Sequence, residues 1–560
     1  MPTPRRAPFG LRDRETSEPR PAGRRIEFPA WRSESFPSAS RPSARSARRA
    51  TTYVDKTAHA RRIADGAGKH YFLSRPRRFG KSLFVDTLKE LYEGNEPLFR
   101  GLAVHDAWDW SKRRPVVRLS FGGGNFKRPA ELHASVMRQL AASERRAGLP
   151  ASDVPTPAGR FADLLEALHD QTGERVVVLV DEYDRPILDA LEGPAPAGER
   201  GEMPAAANAQ AIANRDDLRG LYGTIKDCDA HVELTFITGV SRFSKVSLFS
   251  GLNNLTDLTL NPRYSAICGY TEADLDTVFA PELPGLERNE IRAWYDGYAW
   301  RGSEHVYNPY AILHLFASRE FEAHWFETAT PRFLIDTLLR HGFAAPDLEN
   351  VHADAALLST FDVDAMPAEA LLFQTGYLTI VDEERRDGRT LYRLAYPNRE
   401  VRRGLNHSLL DALAPSWRSA GDAGALRRLL SVQDWTGVAA LFRRLLAGIP
   451  HDWRRRNDIA RYEGYWSSVF YAWFRASLDH LAVEDATSRG RLDMALRLED
   501  DVYLFEFKVA ERSEQGAALA QLKARRYADK YRAPGRMVHL IGVEVSAETR
   551  DITAFDVDPA

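Results

Sequence analysis

The chain has 560 residues, 44% of them hydrophobic, and a formal net charge of −2. This length predicts three or four domains, and the near-neutral charge excludes a global field that attracts nucleic acid. Two cysteines exclude a disulfide scaffold and a cysteine-built zinc site and favour a cytoplasmic location, and no apolar run is long enough to predict a membrane span.

The first 50 residues contain twelve arginines and no lysine, together with many prolines, serines and alanines. No apolar stretch follows the early arginines, so the segment is not a secretory signal. We expect a disordered leader over 1–50, or an extension upstream of the true start. A basic tail that touches nucleic acid is the alternative.

Residues 51–265 alternate strand and helix patterns, which predicts a doubly wound α/β domain with a parallel sheet. RVVVLVDEYD has no polar alternation and is typical of a strand covered on both faces. A mobile loop is expected over 192–210. The predicted strands are HYFLSR (70–75), PVVRLSF (115–121), RVVVLVDEYD (175–184) and ELTFITGVSRF (233–243).

A mostly helical middle region is expected over 266–440, with a hairpin that turns at Asp387-Gly388. In the last region, 441–560, RLDMALRLEDDVYLFEFKVA alternates like two antiparallel strands joined at Glu499–Asp501. A helix and the strand MVHLIGVEVS follow, which predicts a second α/β domain.

Gly80, Lys81 and Ser82 follow the first strand and precede a helix pattern, which is the context of a nucleotide-phosphate loop. Glycine permits close backbone approach, lysine supplies charge to the phosphates, and serine can ligate Mg²⁺. The alternative is a solvated turn before a helix. Arg75 stands where the generic motif begins with glycine, and Arg75, Arg77 and Arg78 are expected to surround the loop with positive charge.

Asp181 and Glu182 end the apolar strand of 175–184. In phosphate-loop ATPases an acid at the tip of the neighbouring strand holds Mg²⁺ through water, and a following glutamate activates the hydrolytic water. Asp181 is therefore the candidate metal-binding acid and Glu182 the candidate catalytic base. A solvated strand end is the alternative.

Asp493 lies on one predicted strand of 491–510, and Glu506 and Lys508 lie two residues apart on the next. Because side chains alternate along a strand, Glu506 and Lys508 share a face, and a short hairpin brings Asp493 beside them. Two carboxylates can hold Mg²⁺, and a lysine can orient or deprotonate an attacking water. An ordinary Glu506–Lys508 ion pair is an equally good explanation of the spacing.

The chain resembles the bacterial and archaeal AAA-ATPase-like family that has a nuclease-fold domain at its C-terminus. The resemblance covers roughly 51–555 and rests on motifs along the whole of that length. They are YVDKT, YFLSRPRRFGKSLFVDTLKELYEG, LVDEYDRPI, ITGVSRFSKVSLFSGLNNLTDLT, WYDGYAW, VYNPYAIL, LLFQTGYLTI and YPNREVR.

This resemblance implies an ATP site formed by the loop, with Thr238 at a sensor position and Arg242 either sensing phosphate or forming a structural ion pair. The RPRRFGKS loop is that family's own form, so Arg75 departs only from the generic motif. The implied ATP-binding loop residues are Arg75, Pro76, Arg77, Arg78, Phe79, Gly80, Lys81 and Ser82.

The last region resembles the PD-(D/E)XK nuclease superfamily, whose signature falls on Asp493, Glu506 and Lys508. The resemblance implies a restriction-endonuclease-like fold, an additional acid at Glu463, and a supporting pair at Gln521 and Tyr527. Lys523, Arg525 and Arg526 are candidates for contact with a DNA backbone, although a solvated helix face is the commoner explanation.

The sequence thus predicts an ATP- and Mg²⁺-dependent enzyme in which an ATPase controls a nuclease. We expect the nuclease to act on nucleic acid, with DNA as the first candidate, and a homo-oligomer is compatible with such an ATPase. A nucleotide-switched sensor or scaffold whose nuclease fold binds without cutting is the main alternative. An ATPase that acts on protein partners is a third.

Overall fold

The computed structural model describes residues 52–128, 130–191, 205–242, 248–252, 254–302, 304–326, 334–335, 337–338, 345–359, 367–414, 422–449, 463–477, 481–487, 490–498 and 500–560. At 205–208, 422–423, 463–465, 467, 477, 481–487 and 490–491 only the backbone is described. The predicted leader, 1–50, lies outside these ranges.

The N-terminal region is built around a five-stranded parallel sheet in the order β2-β3-β4-β1-β5. All six residues of β3 are buried, as its uninterrupted apolar run predicts. Strand β4 lies between β1 and β3, so the acidic strand is not the immediate neighbour of the loop strand, contrary to our expectation. The strands are β1 (His70–Ser74), β2 (Val116–Ser120), β3 (Val176–Asp181), β4 (Val232–Gly239) and β5 (Thr256–Asp257).

Helices connect these strands, so the predicted doubly wound alternation is present. The helix after residue 204 begins at Ala205, so the predicted mobile loop over 192–210 is wrong for 205–210, where consecutive alanines favour helix. Residues 192–204 lie outside the described ranges. The helices are α1 (Thr57–Ala64), α2 (Lys81–Tyr92), α3 (Glu131–Ala147), α4 (Pro157–Thr172), α5 (Arg185–Leu191) and α6 (Ala205–Asp227).

The middle region is helical and contains a three-stranded antiparallel sheet in the order β6-β8-β7. The predicted hairpin is confirmed: it turns at Asp387 and Gly388, which both have positive φ, as a tight hairpin turn requires. The elements are α7 (Glu272–Thr277), α8 (Arg288–Tyr295), α9 (Pro309–Ser318), β6 (Val351–Asp354), α10 (Ala368–Thr375), β7 (Thr379–Arg386), β8 (Arg389–Ala395), α11 (Arg399–Leu413) and α12 (Asp422–Ser431).

The C-terminal region contains a five-stranded mixed sheet in the order β13-β12-β11-β10-β9, in which only β11 and β12 pair in parallel. The predicted β10–β11 hairpin is confirmed, whereas β9 and β13 were not predicted. The elements are α13 (Trp435–Ala447), α14 (Glu463–Ser477), β9 (Leu481–Thr487), β10 (Gly490–Leu498), β11 (Asp501–Val509), α15 (Ala517–Ala524), β12 (Val538–Val545) and β13 (Ile552–Pro559).

One hydrophobic core runs through all three regions, from the N-terminal sheet through the middle region to Phe505 and Val543 of the C-terminal sheet. A smaller core lies around Leu504, Leu522 and Leu540 of the C-terminal region. The predicted domain limits at 265 and 440 stay predictions. Within the described part of the chain, no helix is long and apolar enough to cross a membrane.

Candidate functional sites

The phosphate-loop candidate is the turn between β1 and α2. Gly80 caps α2 with φ +93°, a left-handed conformation that favours glycine, and the space where its Cβ would lie is open to 4 Å. The α2 N-terminus therefore presents backbone N–H groups beside an open cradle, which suits an anion. The Lys81 ammonium donates to the carbonyls of Arg75 (2.9 Å) and Pro76 (2.8 Å) and closes the loop on itself.

Arg75 is a buried structural residue rather than a charge that faces the cradle. Its guanidinium donates to the carbonyls of Ser74 (2.8 Å), Thr259 (3.1 Å) and Tyr264 (2.9 Å), and it lies 4.1 Å from the Trp300 ring centroid. This placement differs from the expectation that Arg75 adds charge around the phosphates. Burial lowers its pKa to about 10, so the guanidinium stays charged at neutral pH.

The other loop residues also pack against the middle region. A Cβ at Gly376 would lie 2.6 Å from Pro76 Cγ, so the Pro76 ring packs directly on the Gly376 backbone. Two residues before Gly80, Arg78 has a left-handed backbone conformation with φ +69°. The Arg78 guanidinium lies 4.9 Å from the Tyr310 ring centroid. The Phe79 ring is buried 4.8 Å from that of Tyr298. Packing against the middle region thus stabilises a loop conformation for which the generic motif uses glycine.

The candidate metal-binding acid, Asp181, is buried at the end of β3. Its Oδ1 has no hydrogen-bond partner, and its Oδ2 lies 3.5 Å from Arg118 Nη2. Burial raises the pKa of this carboxyl, and the Ser82 hydroxyl and the Arg118 guanidinium oppose the rise. A buried carboxylate oxygen beside a serine hydroxyl fits the oxygen ligands that Mg²⁺ prefers.

Glu182 follows Asp181 with φ +52°, an uncommon conformation for a residue with a side chain. Its carboxylate pairs with Arg185 at 3.0 Å. Both acids lie near Lys81: burial lowers the pKa of the Lys81 ammonium, and the charges of Glu182 and Asp181 oppose this shift. The structure therefore brings Lys81, Ser82, Asp181 and Glu182 together.

Thr238 and Arg242 lie at and beyond the end of β4. The buried Thr238 hydroxyl donates to Leu73 O at 2.8 Å, on the adjacent loop strand. Arg242 Nε lies 2.5 Å from Asp257 Oδ2, which is the ion pair that the sequence allowed as an alternative. Roles for Thr238 and Arg242 in sensing phosphate stay predictions.

The nuclease candidate lies on β10 and β11. The two strands pair from Met494–Phe505 to Leu498–Asp501, and Asp493 and Glu506 are the next residues beyond this paired stretch. The charges of both carboxylates act on the Tyr527 hydroxyl, so the two acids lie near the same side chain. Asp493 Oδ2 accepts the Phe507 N–H at 2.8 Å, which fixes its orientation. Lys508 Nζ lies 3.3 Å from Glu506 Oε1, so the ion pair and the three-residue cluster are both present.

Gln521 and Tyr527 complete the surroundings of Glu506. Gln521 on α15 donates to Glu506 Oε1. The Tyr527 side chain is buried; burial and the nearby Glu506 charge raise its pKa, while a hydrogen bond with Gln521 opposes the rise. Five predicted residues therefore converge on one face of the sheet. Glu463 begins α14, but its side chain lies outside the described residues.

The candidate DNA-backbone contacts lie on the surface next to this site. Lys523, Arg525 and Arg526 are exposed. Lys523 pairs with Asp558 and Arg526 pairs with Asp529 at 2.9 Å. The described residues include no group of three His, Cys, Asp or Glu side chains arranged to hold a metal ion.

Sequence reasoning missed two residues that lie against the predicted ATP site. Arg118 on β2 bridges Asp181 and Asp86, 2.5 Å from the latter, and Arg185 pairs with Glu182. PVVRLSF predicted a strand, along which side chains alternate between the two faces. That pattern does not identify the acids which the neighbouring elements bring to Arg118.

Comparisons with known proteins agree with this arrangement. The family model described as a predicted AAA-ATPase matches 45–249, and the model of the PD-(D/E)XK nuclease superfamily matches 461–555. A protein of Azotobacter chroococcum mcd 1, described as an uncharacterized protein in the vnfD 5' region, is 53% identical over 507 residues, which cover 90% of this chain and 95% of that protein. The chain therefore belongs to the AAA-ATPase-like family and has a PD-(D/E)XK nuclease superfamily domain at its C-terminus.

Proposed function

We propose that the chain is an ATP-dependent nuclease that requires Mg²⁺ and cleaves DNA. The convergence of Asp493, Glu506 and Lys508 on one sheet face supports this proposal most strongly. A structural ion pair would need only Glu506 and Lys508. It would not account for a second carboxylate, that of Asp493, held on the adjacent strand by the Phe507 N–H at 2.8 Å.

In this proposal Asp493 and Glu506 would hold Mg²⁺, which would supply Lewis-acid chemistry to the phosphodiester. Lys508 orients the attacking water and assists the loss of its proton. Gln521 holds Glu506 Oε1 and thereby keeps the carboxylate turned toward the shared face. Lys523, Arg525 and Arg526 lie on the adjoining surface, where they contact the phosphate backbone.

The proposed ATP site uses the loop 75–82. Lys81, which donates to the carbonyls of Arg75 and Pro76, would supply its charge to the phosphates, and Ser82 and Asp181 would hold the Mg²⁺ of the nucleotide. Glu182 would activate the hydrolytic water once its carboxylate has separated from Arg185. Because the proposed base Glu182 is held in an ion pair with Arg185, we expect ATP to bind more readily than it is hydrolysed.

The metal requirement gives the direct test of the nuclease proposal. We expect plasmid and single-stranded DNA to be cleaved with ATP and millimolar Mg²⁺ and to remain intact with ATP and EDTA. Restoring Mg²⁺ after EDTA treatment restores cleavage, which separates metal loss from unfolding. Intact DNA in every Mg²⁺ condition, with a folded protein, would contradict the proposal.

A nucleotide-switched scaffold is a second candidate. The Glu182–Arg185 pair at 3.0 Å favours it, because a base held in an ion pair suits slow hydrolysis and a long-lived bound state. Such a protein binds ATP and changes its association with DNA, with a protein partner or with further copies of itself, without cutting. Sedimentation with and without ATP distinguishes a change of assembly from cleavage.

A further inference from the structure

Trp325 connects the phosphate loop to the first turn of α11. Its indole N–H donates to Arg77 O at 2.9 Å, and its backbone N–H donates to Glu400 Oε1 at 2.6 Å. Trp325 and Glu400 are completely buried. One buried residue therefore touches both the loop backbone and the helix.

The next residue fixes the same helix at a second point. A Cβ at Gly404 would lie 2.2 Å from Phe326 Cγ, so the Phe326 ring fits against α11 only because position 404 has no side chain. Glu400 and Gly404 are one helical turn apart, on the same face. A movement of residues 325–326 therefore acts on α11 at both contact points together.

Helix α11 in turn reaches the nuclease candidate through α14. The two helices pack against each other, and α14 packs on β11. Phe470 of α14 stacks on Phe507 at 4.7 Å between ring centroids, and Phe474 lies 5.4 Å from Phe505. Glu506 lies between those two phenylalanines. Buried contacts thus extend from the loop to the strand that holds Glu506 and Lys508.

The Glu400 carboxyl makes the contact between Trp325 and α11 sensitive to the position of Trp325. Its Oε2 has no hydrogen-bond partner, and burial raises its pKa to about 8. A buried carboxyl with so few partners is costly. If Trp325 withdraws, Glu400 Oε1 loses the backbone N–H that it accepts, so a movement of Trp325 changes the hydrogen bonding of the first turn of α11.

We propose that nucleotide binding at the loop is transmitted to the nuclease domain through Trp325 and α11. This inference rests on the proposed function, since it needs ATP at the loop. Phosphates compete for the Lys81 ammonium and release the carbonyls of Arg75 and Pro76 that it now holds. The adjoining Arg77 carbonyl moves with them, and Trp325 transfers the movement to α11.

Hydrogen exchange read by mass spectrometry tests this link without depending on cleavage. We compare protein with and without a non-hydrolysable ATP analogue and Mg²⁺. In the wild type we expect altered exchange in 81–92 and also in 399–413 and 463–477. Trp325→Phe keeps a large ring but loses the donor to Arg77, so we expect the response at 81–92 to remain and the response at 399–413 to fall by at least half.

Trp110→Phe is the matched control, because the Trp110 indole also donates to a backbone carbonyl, that of His105 at 2.8 Å, outside the loop contacts. It should respond like the wild type. A wild-type response at 81–92 without one at 399–413 overturns the inference alone, as does an unchanged response in Trp325→Phe. No response at 81–92 in the wild type overturns the proposed ATP site and the inference with it. The wild-type measurement can therefore contradict the inference even if Trp325→Phe does not fold.

Discussion

Replacing Lys508 with alanine is expected to slow DNA cleavage by about a hundredfold or more, the usual effect of losing a residue that positions or deprotonates the attacking water. Lys508 Nζ lies 3.3 Å from Glu506 Oε1 and is the lysine of the three-residue cluster. The backbone of β11 continues its pairing with β10 and β12 without this side chain. The measurement is the initial rate of plasmid cleavage at saturating Mg²⁺.

Lys530→Ala is the control for this prediction. Lys530 is an exposed lysine of the same domain, near the Tyr531 ring. Its removal should leave the cleavage rate within about twofold, as expected of a surface charge outside the site. A Lys508→Ala protein that is folded and cuts at the wild-type rate would show that Lys508 is only a structural partner of Glu506.

The second large effect is expected at the phosphate loop. Lys81→Ala should weaken ATP binding by roughly tenfold to a hundredfold, because a hydrogen bond to a charged group contributes about 1.5–3 kcal/mol. Calorimetric titration with ATP and Mg²⁺ measures the loss. The variant also removes the ammonium from the carbonyls of Arg75 and Pro76, so its unfolding temperature is measured alongside.

Lys89→Ala controls for the loss of a lysine from the same helix. Lys89 forms surface ion pairs with Glu90 (2.9 Å) and Glu93 (2.6 Å), away from the cradle. Such pairs contribute little, so ATP affinity should stay at the wild-type value. Equal ATP affinity in Lys81→Ala and the wild type would exclude the loop as the nucleotide site.

Local patterns predicted much of the fold and the residues of both candidate sites. Uninterrupted valines indicated β3, period-two alternation indicated the β10–β11 hairpin, and Asp387-Gly388 indicated the turn of the other hairpin. These signals are visible because each depends on neighbours a few residues away. The same alternation put Glu506 and Lys508 on one face, but it fitted an ordinary ion pair equally well, and the resemblance to the nuclease superfamily selected the cluster with Asp493.

Features that depend on distant residues were not predictable. The Arg75 guanidinium is held by Thr259 and Tyr264, and the left-handed conformation of Arg78 belongs to a loop that packs on 298–325 and 376. No local pattern shows that Glu400 is buried, since glutamate in a first helical turn is ordinarily exposed. The position of β4 between β1 and β3 is likewise set by sheet assembly, which periodicity along the chain does not specify.

The central claim is that one chain couples nucleotide binding to DNA cleavage. The most direct test is the rate of plasmid cleavage by the full chain in Mg²⁺, with and without ATP, for the wild type and Lys81→Ala. We predict that ATP changes the wild-type rate severalfold and leaves the Lys81→Ala rate unchanged. A wild-type rate that is the same with and without ATP, in protein shown to bind ATP, would contradict the coupling.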